Sequence, residues 1–130
     1  MVDPHGEPLG FRFPVHLRLR QHRDFERILS QGLRVGDHRL TVWAQANGLN
    51  HPRLGLIVGA KHGNAVRRNR LKRILREAFR LSRPRLPAGL DLVCSPRVNA
   101  DISLDTSVES LTRLAERLAR RLLKHKRPDD

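Results

Sequence analysis

"RLGLIVGAKHGNAVRRNRLKRILREAFR" spans residues 53–80 and changes its period midway. Leu54, Leu56 and Val58 alternate with Gly55, Ile57 and Gly59, the two-residue repeat of a strand. Gly63-Asn64 breaks that repeat, and Asn64 is a good N-cap for a long helix that ends before Pro84. At about 100° per residue, with Arg67 as origin, Leu71, Ile74, Leu75, Ala78 and Phe79 fall on one stripe. Asn69, Lys72, Arg73, Arg76 and Arg80 project on the opposite side, with Arg70 and Glu77 flanking them. One face of this helix is therefore built for burial, and the other presents cations and an amide.

Outward from this stretch, the chain keeps mixing the two periods. "HRDFERILSQG" (residues 22–32) places Phe25, Ile28 and Leu29 at helical spacing and stops at Gly32, which predicts a short first helix. In "RLTVWAQA" (residues 39–46), Leu40, Val42 and Ala44 face one way and Thr41, Trp43 and Gln45 the other. Joined through Asn47-Gly48 to the strand at 53–59, it reads as an antiparallel hairpin. A short extra strand is expected near residues 34–37. "PAGLDLVCSP" (residues 87–96) reads as a turn and a buried strand, Leu90 to Ser95, halted by Pro96. The last segment carries Leu104, Val108, Leu111, Ala115, Leu118 and Leu122 on one stripe, behind a capping box at Thr106 and Glu109. Packing of this helix on a sheet is favoured over a coiled coil. The order α-β-β-α-β-α implies one sheet with helices against it. Residues 1–12, rich in Pro, Gly and charge, read as a flexible arm, 13–125 as a single domain and 126–130 as a tail.

Charge narrows the function. The chain holds 26 Lys+Arg against 13 Asp+Glu, a net charge of +13, and such a chain seeks a polyanion. Residues 61–85 alone hold ten Lys/Arg and one acid. A solvated helix face is normally laced with Glu–Lys pairs four apart; here like charges crowd at Lys72/Arg76 and Arg76/Arg80. Arg67 and Arg68 stand in the first helical turn, beside N–H groups that also attract phosphate. Arginine prevails over lysine, and its planar fork suits phosphate and base edges. Nucleic acid is the expected partner.

Other classes fit poorly. The single cysteine, Cys94, cannot form an internal disulfide, which fits a reducing cytoplasm, and it reads as a small core residue rather than a nucleophile. No run approaches the length of a membrane span and the N-terminus lacks an apolar signal core, so a cytoplasmic location without membrane contact is expected. Helix-turn-helix readers need a helix before the recognition helix, where this chain has a strand. The aromatic-paired strands of an RNA-recognition motif are missing, and "GAKHGNA" lacks the Gly-Lys-Ser/Thr of a phosphate loop. The seven histidines show no metal-ligand spacing, and no paired carboxylates accompany the basic helix. His62 stands beside Lys61 as a phosphate contact or a surface loop residue. Trp43, opposite Leu40/Val42/Ala44, is either core or a stacking platform for a base. Composition stops at an RNA- or DNA-binding domain.

The order of residues goes further. Arg68-Asn69-Arg70, Lys72-Arg73, Arg76-Glu77 and Arg80 resemble the signature of the protein subunit of bacterial ribonuclease P. The similarity runs from about Phe13 to Leu123 and includes "LRLRQHRDF", "RLGLIV" and "DLV". It implies an α+β fold: a two-layer α/β sandwich with an about four-stranded mixed sheet, a short N-terminal helix, a long basic central helix, a C-terminal helix and a left-handed βαβ crossover. It also implies a partner role in tRNA 5′-end maturation. The catalytic RNA, holding most of the Mg²⁺, hydrolyses precursor tRNA, and no protein partner is required. On this resemblance Arg68, Asn69, Arg70, Lys72, Arg73, Arg76 and Arg80 are RNA-binding, and Arg67 joins them from its place in the first helical turn. Phe25 and Lys61 belong to a cleft for the 5′ leader; Trp43 and Phe13 are placed with them from the residues themselves. Two departures stand out: Leu29 replaces a common second aromatic, and Gly59-Ala60 precede Lys61 where the family often has more basic residues. Both leave a leader with less stacking surface and fewer cations. The alternatives are a non-catalytic structural RNA-binding protein of a ribosome-like particle and a protein-only nuclease.

Overall fold

The computed structural model describes residues 15–123. Its elements are α1 (His22–Gln31), β1 (Leu33–Gly36), β2 (Leu40–Ala46), β3 (Arg53–Leu56), α2 (Ala65–Ser82), β4 (Leu90–Pro96) and α3 (Leu104–Leu122), with 3₁₀ turns at Val15–Leu17, Ala60–His62 and Arg83–Arg85. The arm at 1–12, the tail at 126–130 and Phe13 lie outside the described residues. The short strand expected near 34–37 is β1.

The four strands form one mixed sheet in the order β1-β2-β4-β3. The expected hairpin does not form: β2 and β3 are separated by β4, which pairs antiparallel with β2 and parallel with β3. Burial explains the insertion. Every residue of β4 is buried, so this strand gains most from neighbours on both sides and sheet contact on both faces. The loop from Asn47 instead passes over the end of β4. The Asn47 N–H donates to the Gly89 carbonyl at 2.8 Å, and its Nδ2 donates to Asp91 at 3.0 Å.

Leu40, Val42 and Ala44 of β2 and Leu90, Leu92 and Cys94 of β4 face the larger core, which α2 and α3 close with Leu75, Phe79, Leu111 and Leu114. These two helices and the sheet are the two layers. The α3 stripe is centred slightly off the expected one: Leu114 is fully buried, while Leu104, Val108 and Leu122 are half-buried. Its cap is Ser103 rather than Thr106. Ser103 is extended, its hydroxyl accepts the Thr106 N–H, and Thr106 reaches back to the Ser103 N–H, both at 3.3 Å. Threonine thus fills the role that Glu or Gln usually plays in a capping box.

The short α1 lies on the other face of the sheet, where Ile28 meets Leu19 and Val93 in a smaller cluster flanked by Phe25, Trp43 and Ile57. A buried ion network anchors it. Asp91 is fully buried, accepts from Arg53 Nε and Nη2 at 2.7 Å and from Arg27 Nη2 of α1 at 3.1 Å. Burial alone would raise the Asp91 carboxyl, but Arg53, Asn47 and Arg27 hold it below its ordinary range. One carboxylate therefore ties α1, β3 and the 47–52 loop to the central strand.

Candidate nucleic-acid interface

The basic helix forms as its two faces require. The Asn64 side chain accepts the Arg67 N–H at 2.9 Å and starts α2. Leu71, Leu75, Ala78 and Phe79 are buried, with Ile74 half-buried beside them. Arg67, Asn69, Arg70, Arg73 and Arg76 are exposed, and Arg68 and Lys72 are half-buried. The Arg68 Nε is buried with no hydrogen-bond partner, a cost that an incoming acceptor would remove. Arg67 is steadied by a bond from its Nε to the His62 carbonyl at 3.1 Å. Arg80 differs from the rest: its guanidinium forks onto Glu77, which raises it above its ordinary value. The exposed cations of α2 are thus spread from Arg67 to Arg76.

A cleft of about 300 Å³ opens between α1, β3 and α2. Phe25, Gly55, Lys72 and Arg76 line it, together with Arg18 and Arg20. Phe25 comes close because position 55 has no side chain: a Cβ there would stand 2.6 Å from Phe25 Cζ. Arg76 is exposed as a residue but partly desolvated where it lines the cleft, and that desolvation, then the nearby Arg18 guanidinium, lower its pKa from the ordinary value. Guanidinium groups crowded this way are relieved by an anion. An apolar ring beside cations, with no carboxylate in the lining, is the arrangement that single-stranded nucleic acid fills: bases stack and phosphates pair.

Not every expected residue meets here. Lys61 lines a different cavity, with Arg67, Arg97 and Asn99 near the start of α2. Trp43 belongs to the small cluster under α1, and the Arg34 guanidinium lies 5.7 Å from its ring centroid. His62 is neither a phosphate contact nor a surface residue. It is buried, its Nδ1 accepts the Gly59 N–H at 3.0 Å, and its Nε2 bonds the Pro96 carbonyl at 2.7 Å. It thereby fastens the turn before α2 to the end of β4. Cys94 is buried and its thiol is pushed up to about 12, first by burial and then by Asp37, so it is inert core. Arg18 and Arg20 were missed at the sequence level although a signal existed. They alternate with buried Leu17 and Leu19, so one side of "LRLR" packs and the other carries charge.

Comparison with known proteins settles the family. The family model "Ribonuclease P" matches residues 13–123. The chain belongs to the ribonuclease P protein family. The ribonuclease P protein component of Syntrophobacter fumaroxidans is 44% identical over 103 residues, covering 77% of this chain and 87% of that protein. That of Photobacterium profundum is 38% identical over 109 residues, covering 83% and 92%. Among solved structures, the ribonuclease P protein of Thermotoga maritima superposes with a TM-score of 0.71 at 37% identity, covering 77% of this chain and 96% of that one. The Staphylococcus aureus protein gives 0.67 at 32%, covering 77% and 93%. As a ribonuclease P protein, the chain is a component of the enzyme that processes tRNA 5′ ends, and its partner in that holoenzyme is RNA. The α+β fold with a four-stranded mixed sheet is that of the solved relatives. No helix among the described residues is long and apolar enough to cross a membrane.

Proposed function

We propose that this protein holds the single-stranded 5′ leader of precursor tRNA in the cleft between α1, β3 and α2, and sets the outer face of α2 against the catalytic RNA. The observation that carries this reading is the convergence of Phe25 with Lys72 and Arg76 around one cavity. Phe25 offers a stacking surface for a leader base, and Lys72 and Arg76 meet its phosphates. Arg67, Arg68, Asn69, Arg70 and Arg73 remain for the RNA subunit. The half-buried Arg68, with its unpartnered Nε, favours a defined acceptor on that RNA over diffuse attraction.

Hydrolysis is assigned to the RNA subunit. Mg²⁺ would supply a bound nucleophilic water and neutralise charge at the phosphodiester. On this reading the protein's part is to bind, orient and neutralise. The holoenzyme then works in the cytoplasm without a protein partner.

Reconstitution tests this. Added to a bacterial ribonuclease P RNA at low Mg²⁺ and moderate salt, the protein should raise the rate of precursor-tRNA cleavage and favour precursor over mature tRNA. No improvement, or Mg²⁺-dependent cleavage by the protein without RNA, would overturn the proposal.

A further inference from the structure

The cleft is not the end of the basic surface. A second, larger basin of about 540 Å³ adjoins it, lined by Arg18, Arg20, Gln21, Arg23, Asp24 and Arg53. Arg18 and Arg20 line both cavities, so the two lie side by side.

The charges within the basin do not cancel. Arg53 is committed to Asp91 at 2.7 Å. Asp24, the only acid in the lining, stands 3.4 Å from Arg27 of its own helix. What remains is Arg20 and Arg23, both exposed and, among the described residues, without a hydrogen-bond or ion-pair partner. Gln21, the N-cap of α1, makes no side-chain capping bond, so its amide is also open to a ligand on this side. The basin has no aromatic lining. It therefore has the chemistry to pair phosphates but not to stack bases, unlike the cleft beside it.

We propose that the Arg20–Arg23 basin is a second subsite that takes backbone phosphates of the leader strand after it leaves the Phe25 cleft, without regard to sequence. The inference rests on the leader reading of the cleft. Division of labour follows from the linings: the cleft grips the nucleotides beside the ring, and the basin adds affinity only when the strand is long enough to reach it.

The test uses the reconstituted holoenzyme and precursor tRNAs with leaders of roughly four and roughly twelve nucleotides, a span typical of small single-strand sites. Wild type should bind the long-leader substrate more tightly than the short. Arg23→Ala should remove about half of that gain and Arg23→Glu all of it, a loss of roughly three- to tenfold on the long leader. Both variants should bind the short-leader substrate, mature tRNA and the RNA subunit as wild type does. The salt slope for the long leader should fall by about 0.7 in Arg23→Ala, one phosphate contact on a single strand. Arg23 is exposed, and an unchanged melting temperature would verify that the variants are folded. If both variants keep the full long-leader gain, the basin proposal is overturned while the cleft reading stands. If wild type itself binds precursor no better than mature tRNA, the cleft reading fails and the basin with it. If the variants lose affinity for the RNA subunit or mature tRNA instead, the basin serves that RNA and the leader assignment is overturned.

Discussion

At the scale of single residues, the cleft depends on a contact between a ring and a missing side chain. Phe25 is half-buried and lies over Gly55, where a Cβ would meet Cζ at 2.6 Å and Leu19 Cβ at 3.1 Å. Phe25→Ala should therefore weaken binding of precursor tRNA by about 1–3 kcal/mol, the worth of one stacked base, and leave mature tRNA nearly unaffected. Equal losses for both RNAs, or a lost fold on circular dichroism, would show the ring to be core instead. Gly55→Ala probes the same contact from below. The ring must shift off β3 into the cleft, so stability should fall by about 1–3 kcal/mol on denaturant unfolding. Precursor affinity should drop with it while RNA-subunit affinity holds. A variant that binds precursor as wild type does would show that ring placement is unimportant. Leu29, 39% exposed on the same helix, leaves Phe25 to supply the stacking there.

At the scale of elements, α2 was the most legible part of the chain and β4 the least. The projection placed Leu71, Leu75, Ala78 and Phe79 inward, and Asn64 at the cap, because both depend only on local spacing. The neighbour of a strand does not. Leu90 to Ser95 read correctly as buried, yet its place between β2 and β3 follows from competition among strands for a central position, which no local window records. Asp91 and His62 were opaque for a related reason. A carboxylate and an imidazole look like surface groups until Arg53, Arg27 and Asn47, or Gly59 and Pro96, arrive from distant sequence to satisfy them. For the outer face of α2, a log–log plot of holoenzyme affinity against salt gives the test. Arg73→Ala should weaken assembly with the RNA subunit and Arg76→Ala binding of the precursor's leader, each reducing its own slope by about one unit per lost phosphate contact. Arg80→Ala should change the slope less, since Glu77 already occupies that guanidinium. An unchanged slope in all three would mean that the face is only solvated.

At the scale of the whole molecule, a chain at +13 has few acids to spare and uses two of them as clamps. Asp91 fastens α1 to the sheet. Asp37 fastens the β1–β2 turn to α3, accepting the Arg39 and Leu40 N–H groups at 2.8 Å and Arg113 at 2.7 Å. Burial alone would raise Asp37, but chiefly the Leu40 N–H, with the Arg39 N–H and Arg113, brings it down to about 2 from 3.8. A carboxyl held lower in the folded chain than in the unfolded one contributes stability that is complete above the unfolded value. That contribution is lost as pH falls toward the folded one. Protonating these clamps also adds to a positive charge that already repels itself. The melting temperature should accordingly fall steeply between about pH 4 and 2. Asp37→Asn should melt lower than wild type at neutral pH and lose less on acidification, because asparagine keeps the shape of the turn but has no proton to take up. Parallel acid limbs for the two proteins would mean that Asp37 carries none of the acid sensitivity, leaving it to Asp91 and the general charge.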